Sequence, residues 1–194
     1  MISPTRLDAY CSPNFRFRDL IQCGETWAVL ASACGSAESR DALNLPIQAQ
    51  SWSALADLSV GVLEPIIEHW GRPLLTYGFA GPTLIRAIRR RIAPRLDQHA
   101  AHEIGVRGRA ICLRGGAAVD LTVPGVSSLR VAMWLAQRVA IDRLYVYSSH
   151  RPLHVSFGPD RARIIVHVLQ TATGTPLSPR RLTLDSLKRL VEKE

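Results

Sequence analysis

The side chains best suited to chemistry fall in three short stretches. The first is Asp97-Gln-His-Ala-Ala-His-Glu103, the second is Gly116 to Gly125 with Asp120 inside it, and the third is His150-Arg-Pro-Leu-His154. Imidazole and carboxylate are the groups that bind divalent transition metals, and imidazole also moves protons near neutral pH. Taken alone, His99 and His102 read as a solvated helix end and His150 as an exposed loop residue. The four cysteines (Cys11, Cys23, Cys34 and Cys112) contain no CxxC pair, so a structural zinc knuckle is not indicated and reduced thiols are expected.

A second grouping is cationic. Arg86, Arg89, Arg90, Arg91 and Arg95 lie close together, and Arg107, Arg109 and Arg114 follow. Such a patch suits phosphates or another polyanion, without base-specific readout. No aromatics interleave with these arginines, so the stacking signature of single-strand binding is missing. The net charge of +8 points to acidic partners, nucleic acid or a larger complex among them. Only Lys188 and Lys193 among the 24 basic residues are lysines, which reads mainly as codon bias and weakens that argument.

The elements that must position these groups follow from periodicity. A length of 194 residues suits one domain with small appendages, and 47% hydrophobic residues suffice for a core. Partial helical spacing covers 17–34. Stronger spacing covers 51–71, with Pro65 expected to kink it and Gly71 to stop it. Strands are expected at 73–79, 109–113, 117–123, 143–148, 153–157 and 161–169. Further helices are expected at 83–92, 127–139 and Leu184 to Val191. The order implies an α+β fold. With no apolar run near 18 residues and no leader-like start, membrane insertion is not expected and a cytoplasmic location is.

Placed in order, the motifs resemble a known family. Ser12-Pro13-Asn14-Phe15 is followed by a long helix closing on Leu63-Glu64-Pro65, then by Leu75-Thr76-Tyr77-Gly78-Phe79. Next come Leu84-Ile85-Arg86-Ala87-Ile88, Gly116-Ala-Ala-Val-Asp120 with Val123-Pro-Gly125, and His154-Val-Ser-Phe157. This order resembles the zinc D-alanyl-D-alanine carboxypeptidases and phage endolysin peptidases with the hedgehog-like zinc fold. The resemblance covers about residues 12–158, leaving 159–194 as a C-terminal extension of strand plus helix. It implies a small antiparallel sheet flanked by helices.

The resemblance also implies a site. In that family a His-x-x-Gly-x-Ala-x-Asp motif and a later His hold zinc, three protein ligands leave one position open, and a bound water becomes acidic. A carboxylate or histidine just before the last His serves as base, and an Arg in a turn holds the substrate. Here Asp120 and His154 match two ligands. Leu113 stands where the first His belongs, Ala80 stands where the Arg belongs, and no Asp or Glu lies between Asp142 and Asp160. His99 or His102, in a stretch resembling the family's Ser-Gln-His, could supply the third ligand across an insertion of about 14 residues, a tolerable loop cost. His150 could then serve as base, and Glu103 could contribute. The leading expectation is a non-catalytic, DD-peptidase-like binding or assembly subunit with a basic surface, its metal content either zinc or nothing. The alternative is an active zinc peptidase or amidase on peptidoglycan with a rearranged metal site.

Overall fold

The computed structural model describes residues 6–88, 94–169 and 178–194. The chain begins with a two-stranded hairpin, β1 (Tyr10–Ser12) and β2 (Phe15–Arg16), running directly into α1 (Phe17–Ile21). The helical spacing over 17–34 is split: α1 ends at Ile21, flanked by Gln22, and Gly24 at φ +92° starts α2 (Glu25–Ser32) in a new direction. A short α3 (Ala37–Ala42) follows.

The long apolar repeat over 51–71 forms α4 (Ala49–Leu58), a π-helical turn over Ser59–Leu63, and α5 (Glu64–Trp70). Pro65 sits in the first turn of α5, where its missing N–H costs least, and the wide turn before it absorbs the disturbance. Gly71, at φ +91°, ends the helix as its composition suggested. Trp52, Leu55, Leu58, Val62, Leu63 and Ile66 turn inward and are buried. Within the π turn, Gly61 leaves room for the Phe157 ring, which a Cβ there would approach to 2.8 Å.

The main sheet has six strands in the order β3-β4-β6-β5-β7-β8. They are β3 (Leu74–Tyr77), β4 (Ala117–Thr122), β5 (Arg143–Val146), β6 (Leu153–Phe157), β7 (Ile164–His167) and β8 (Arg180–Leu182). All neighbours are antiparallel except β5 and β7. The architecture is therefore α+β with a mixed main sheet rather than a purely antiparallel one. The parallel pair arises because the chain leaving β6 skips over β5 and lands on its far side. Residues after 158 thus add two strands to the same sheet, while α8 (Leu184–Val191) packs on α7 (Ser128–Arg138).

Two expectations of regular structure are not met. Residues 109–113 form no strand. They belong to a tight excursion in which Ile104 and Ala110 make one isolated bridge, with Gly108 at φ +68° in the turn. The second expected helix is α6 (Pro82–Ala87), shorter than 83–92; residues 89–93, with Arg89, Arg90 and Arg91, lie outside the described residues. Among the described residues no helix is long and apolar enough to cross a membrane, and all four cysteines are free.

Alternation divides the main sheet into two faces. Val119, Leu121, Leu144, Val146, Leu153, Val155 and Ile165 face one core shared with α4, α5, α7 and α8. On the other face the register lines up one row across the whole sheet: Tyr77, Asp120, His154, Tyr145, Val166 and Arg181 are successive partners from β3 to β8.

Candidate metal centre

That row places Asp120 and His154 directly opposite each other on adjacent strands. Side chains so paired lie about 5 Å apart at Cβ, within reach of one another. The third group comes from a short 3-10 turn, Gln98–Ala100, laid against β4. Asp97 starts this turn, its carboxylate accepting from the His99 N–H at 3.0 Å. The His99 carbonyl accepts from the Ala80 N–H at 2.8 Å.

Three ligand atoms converge. Asp120 Oδ1 is 3.1 Å from His99 Nε2 and 2.9 Å from His154 Nδ1, and the two ring nitrogens are 3.0 Å apart. Four-coordinate zinc, at 2.0–2.1 Å from nitrogen and oxygen ligands, sets about 3.3 Å between them. The cluster is therefore within a few tenths of an ångström of a zinc-holding arrangement. Among the described residues it is the group able to hold a metal, and its ligand atoms all lie within 4.8 Å of one another.

Hydrogen bonding fixes the chemistry of His99. Its Nδ1 lies 2.8 Å from the Gly78 carbonyl, which can only accept, so the proton is assigned to Nδ1. In the neutral ring Nε2 then presents a lone pair to the cluster. A metal-bound histidine has its second nitrogen committed in just this way. Gly78 is required there: a Cβ would lie 2.1 Å from the Leu20 carbonyl oxygen. With His99 Nε2 and Asp120 Oδ1 both acceptors, one proton on His154 cannot satisfy all three contacts. Either a second proton or a cation must enter.

The electrostatics match. Burial of the His99 ring opposes its charged form, but the Asp120 carboxylate, with Asp97 and the Gly78 carbonyl, outweighs burial and raises its pKa. Burial likewise opposes the ionised form of Asp120, yet the two histidines hold it well below the usual carboxylate range. Cys23, pushed up to about 12 by burial and then by Asp120, is not a ready thiolate. Tyr77 packs edge-on against His99 and Tyr145 against His154, with ring centroids 4.5 and 5.0 Å apart. His99 is 4% exposed and the Asp120 side chain 28%, so the cluster opens to solvent on the Asp120 side.

The candidate residues separate clearly. Asp120, His154 and His99 come together. His99 is buried rather than a solvated helix end, because the inserted segment folds back onto the sheet. His102 does not join: its Nε2 accepts from the Gly116 N–H at 3.2 Å, and it lines a different open cleft of about 650 Å³ with Gln50, Asp57 and Arg161. Glu103 is fully buried, but its Oε1 accepts from Ile47 N, Gln48 N and Ser51 Oγ at 3.0, 3.1 and 2.9 Å at the start of α4. His150 is exposed in the turn between β5 and β6, four residues before His154, and no hydrogen bond ties it to the cluster. Leu113 is 70% exposed, so no ligand is lost inside the site at that position. Ala80 is fully buried against the His99 backbone, where an arginine would not fit. Arg86 and Arg95 are exposed.

Tyr77 is marked in the sequence only as part of the Leu75–Phe79 motif and Gln98 only by the likeness of its stretch to the family's Ser-Gln-His, with no role attached to either; nothing local marks Asp142 or Tyr145. Comparison of the chain with protein-family models, curated proteins and solved structures returned no match.

Proposed function

We propose that the chain is a zinc-binding relative of the D-alanyl-D-alanine carboxypeptidases and endolysin peptidases with the hedgehog-like fold, acting as a hydrolase on an amide or peptide bond. Zinc would be held by His99, Asp120 and His154. The observation that carries this reading is the convergence of three ligand atoms within 4.8 Å, with the His99 Nδ1–H already committed to a backbone carbonyl. It supports the rearranged site over an emptied one, because the ligand missing at 113 is replaced from 99. Bound there, zinc would supply a Lewis acid that polarises a carbonyl. Asp120 would offset one of its two charges, the two histidines would orient it through neutral nitrogens, and Tyr77 and Tyr145 wall the rings.

A non-catalytic binding subunit is the second reading, and a specific observation favours it. Among the described residues Asp120 is the one carboxylate of the cluster, and Ala80 stands buried where the resemblance expects the substrate-holding arginine. The basic surface, of which Arg86 and Arg95 are described, supports contact with a polyanion in that case.

Metal analysis and hydrolysis separate the readings. One zinc per chain, lost in Asp120→Ala, with release of D-alanine from a D-Ala-D-Ala peptide, supports the hydrolase. Zinc without turnover supports the binding subunit. No zinc at all removes the hydrolase and leaves the binding subunit.

A further inference from the structure

The segment bearing His99 carries an arrangement that the ligand set alone does not require. Asp142 lies at the start of β5 and is fully buried. A buried carboxylate is costly unless its oxygens are satisfied. Asp142 Oδ2 accepts from Gln98 Nε2 at 2.7 Å, and Oδ1 accepts from the Ala162 N–H at 3.1 Å. Its backbone is pinned as well, with N–H donating to the Ser156 carbonyl and C=O accepting from Ile164 N–H. Asp142 is thus fixed to β6 and to the start of β7.

Gln98, 1% exposed, spends its other amide hydrogen on the Gly115 carbonyl at 2.9 Å. Both donors of one amide are therefore used by groups on opposite ends of the inserted segment and on the sheet. Gly158 closes the remaining side: a Cβ there would stand 2.7 Å from Gln98 Nε2 and 3.2 Å from Asp142 Oδ2. The turn Gln98–Ala100 cannot rotate without breaking these bonds, and rotation would carry the His99 ring away from Asp120. An apolar pair would fill the same space at lower desolvation cost. The directional bonds matter because the adjacent side chain must keep one orientation.

We infer that Gln98 and Asp142 form a positioning clamp that aims His99 Nε2 at Asp120 and His154, and that through Ala162 and Ile164 the strands after residue 158 hold this clamp in place. The clamp deepens the zinc reading, but its primary test is independent of metal. In the metal-free protein the His99 Nδ1–H, bonded to the Gly78 carbonyl and buried, gives a slowly exchanging imidazole NH signal by 15N-edited NMR. Gln98→Met keeps the side-chain length and removes both donors. Gly158→Ala presses on the same amide from outside and serves as the second variant should Gln98→Met fold poorly.

Both variants are expected to lose the protected His99 signal while the amide signals of α7 and α8 stay in place. A zinc arm, read by competition with a chelating dye and by the visible bands of cobalt(II), is expected to show affinity about 10–100-fold weaker than wild type. An unchanged His99 NH signal in the folded variants overturns the clamp, whatever their zinc affinity. Absence of zinc binding by wild type overturns the metal reading and leaves the NMR arm to decide the clamp.

Discussion

Replacing Glu103 tests how the segment bearing His99 is tied down. Its Oε1 accepts two backbone N–H groups at the entry to α4 and one hydroxyl, from residues more than 50 positions earlier in the chain. It therefore anchors the chain entering α4, holding the backbone N–H groups of Ile47 and of Gln48 just before the first helical residue. A hydrogen bond contributes about 0.5–1.5 kcal/mol net. Three of them put Glu103→Ala at about 3 kcal/mol of lost stability. For a chain of this size that is a fall in Tm of about 6–12 °C. Glu103→Gln keeps a neutral oxygen acceptor and should lose about half as much. Urea unfolding with unchanged m-value, together with a thermal scan, reads both variants. Glu103→Ala within about 0.5 kcal/mol of wild type would refute the anchoring argument, and zinc loss in Glu103→Gln without loss of stability would return Glu103 to the metal centre.

Other outcomes follow from the same geometry. Gly116→Ala should destabilise by about 2 kcal/mol or more in urea titration, since Gly116 sits at φ +76° and a Cβ would lie 2.2 Å from the Phe157 carbonyl oxygen. In metal-free protein the raised pKa of His99 contributes stability that is full below about 6.5 and is lost as pH rises through its higher folded value; a Tm series over pH 5–9 should show this slope in wild type and not in His99→Ala. Zinc affinity should run the opposite way and rise with pH, because protons compete for the same nitrogens. Saturating zinc at about 1,000 times Kd should add about 4 kcal/mol and raise Tm by about 8–16 °C, with no such shift in Asp120→Ala. If the basic surface binds a polyanion, Arg86→Ala with Arg95→Ala should elute from heparin at lower salt than wild type.

Local pattern carried the elements that depend on their own residues. The helix expected from Leu184 to Val191 forms over that span, and α7 falls within one residue of its expected ends. Strands around Asp120 and His154 were legible for the same reason, and their facing positions follow once they pair. The remainder depends on distant partners. His99 looked solvated because its burial is set by Gln98, Asp142 and Gly78, which are remote in sequence or unremarkable in type. The parallel β5–β7 pair required knowing that the chain leaps a strand after residue 158. Residues 109–113 read as a short apolar run before a Gly-Gly turn, but they pair with Glu103 to Gly105 through one isolated bridge rather than joining the sheet.

The excursion from Ile104 to Leu113 leaves the fold at buried Glu103 and returns at Gly115, with both ends held by the bonds that fix His99 and Gly116. Strands β4 and β6 tolerate no change of length, because a slip of one residue would turn Asp120 or His154 into the core. The excursion has no such constraint, and each doubling of a loop's length costs only about 0.6 kcal/mol. Chain length is therefore a free variable at one place beside the ligands. That makes the tip of the segment, around exposed Val106 and Gly108, the natural point for exchanging peptides of other sizes while the ligand triad stays as it is.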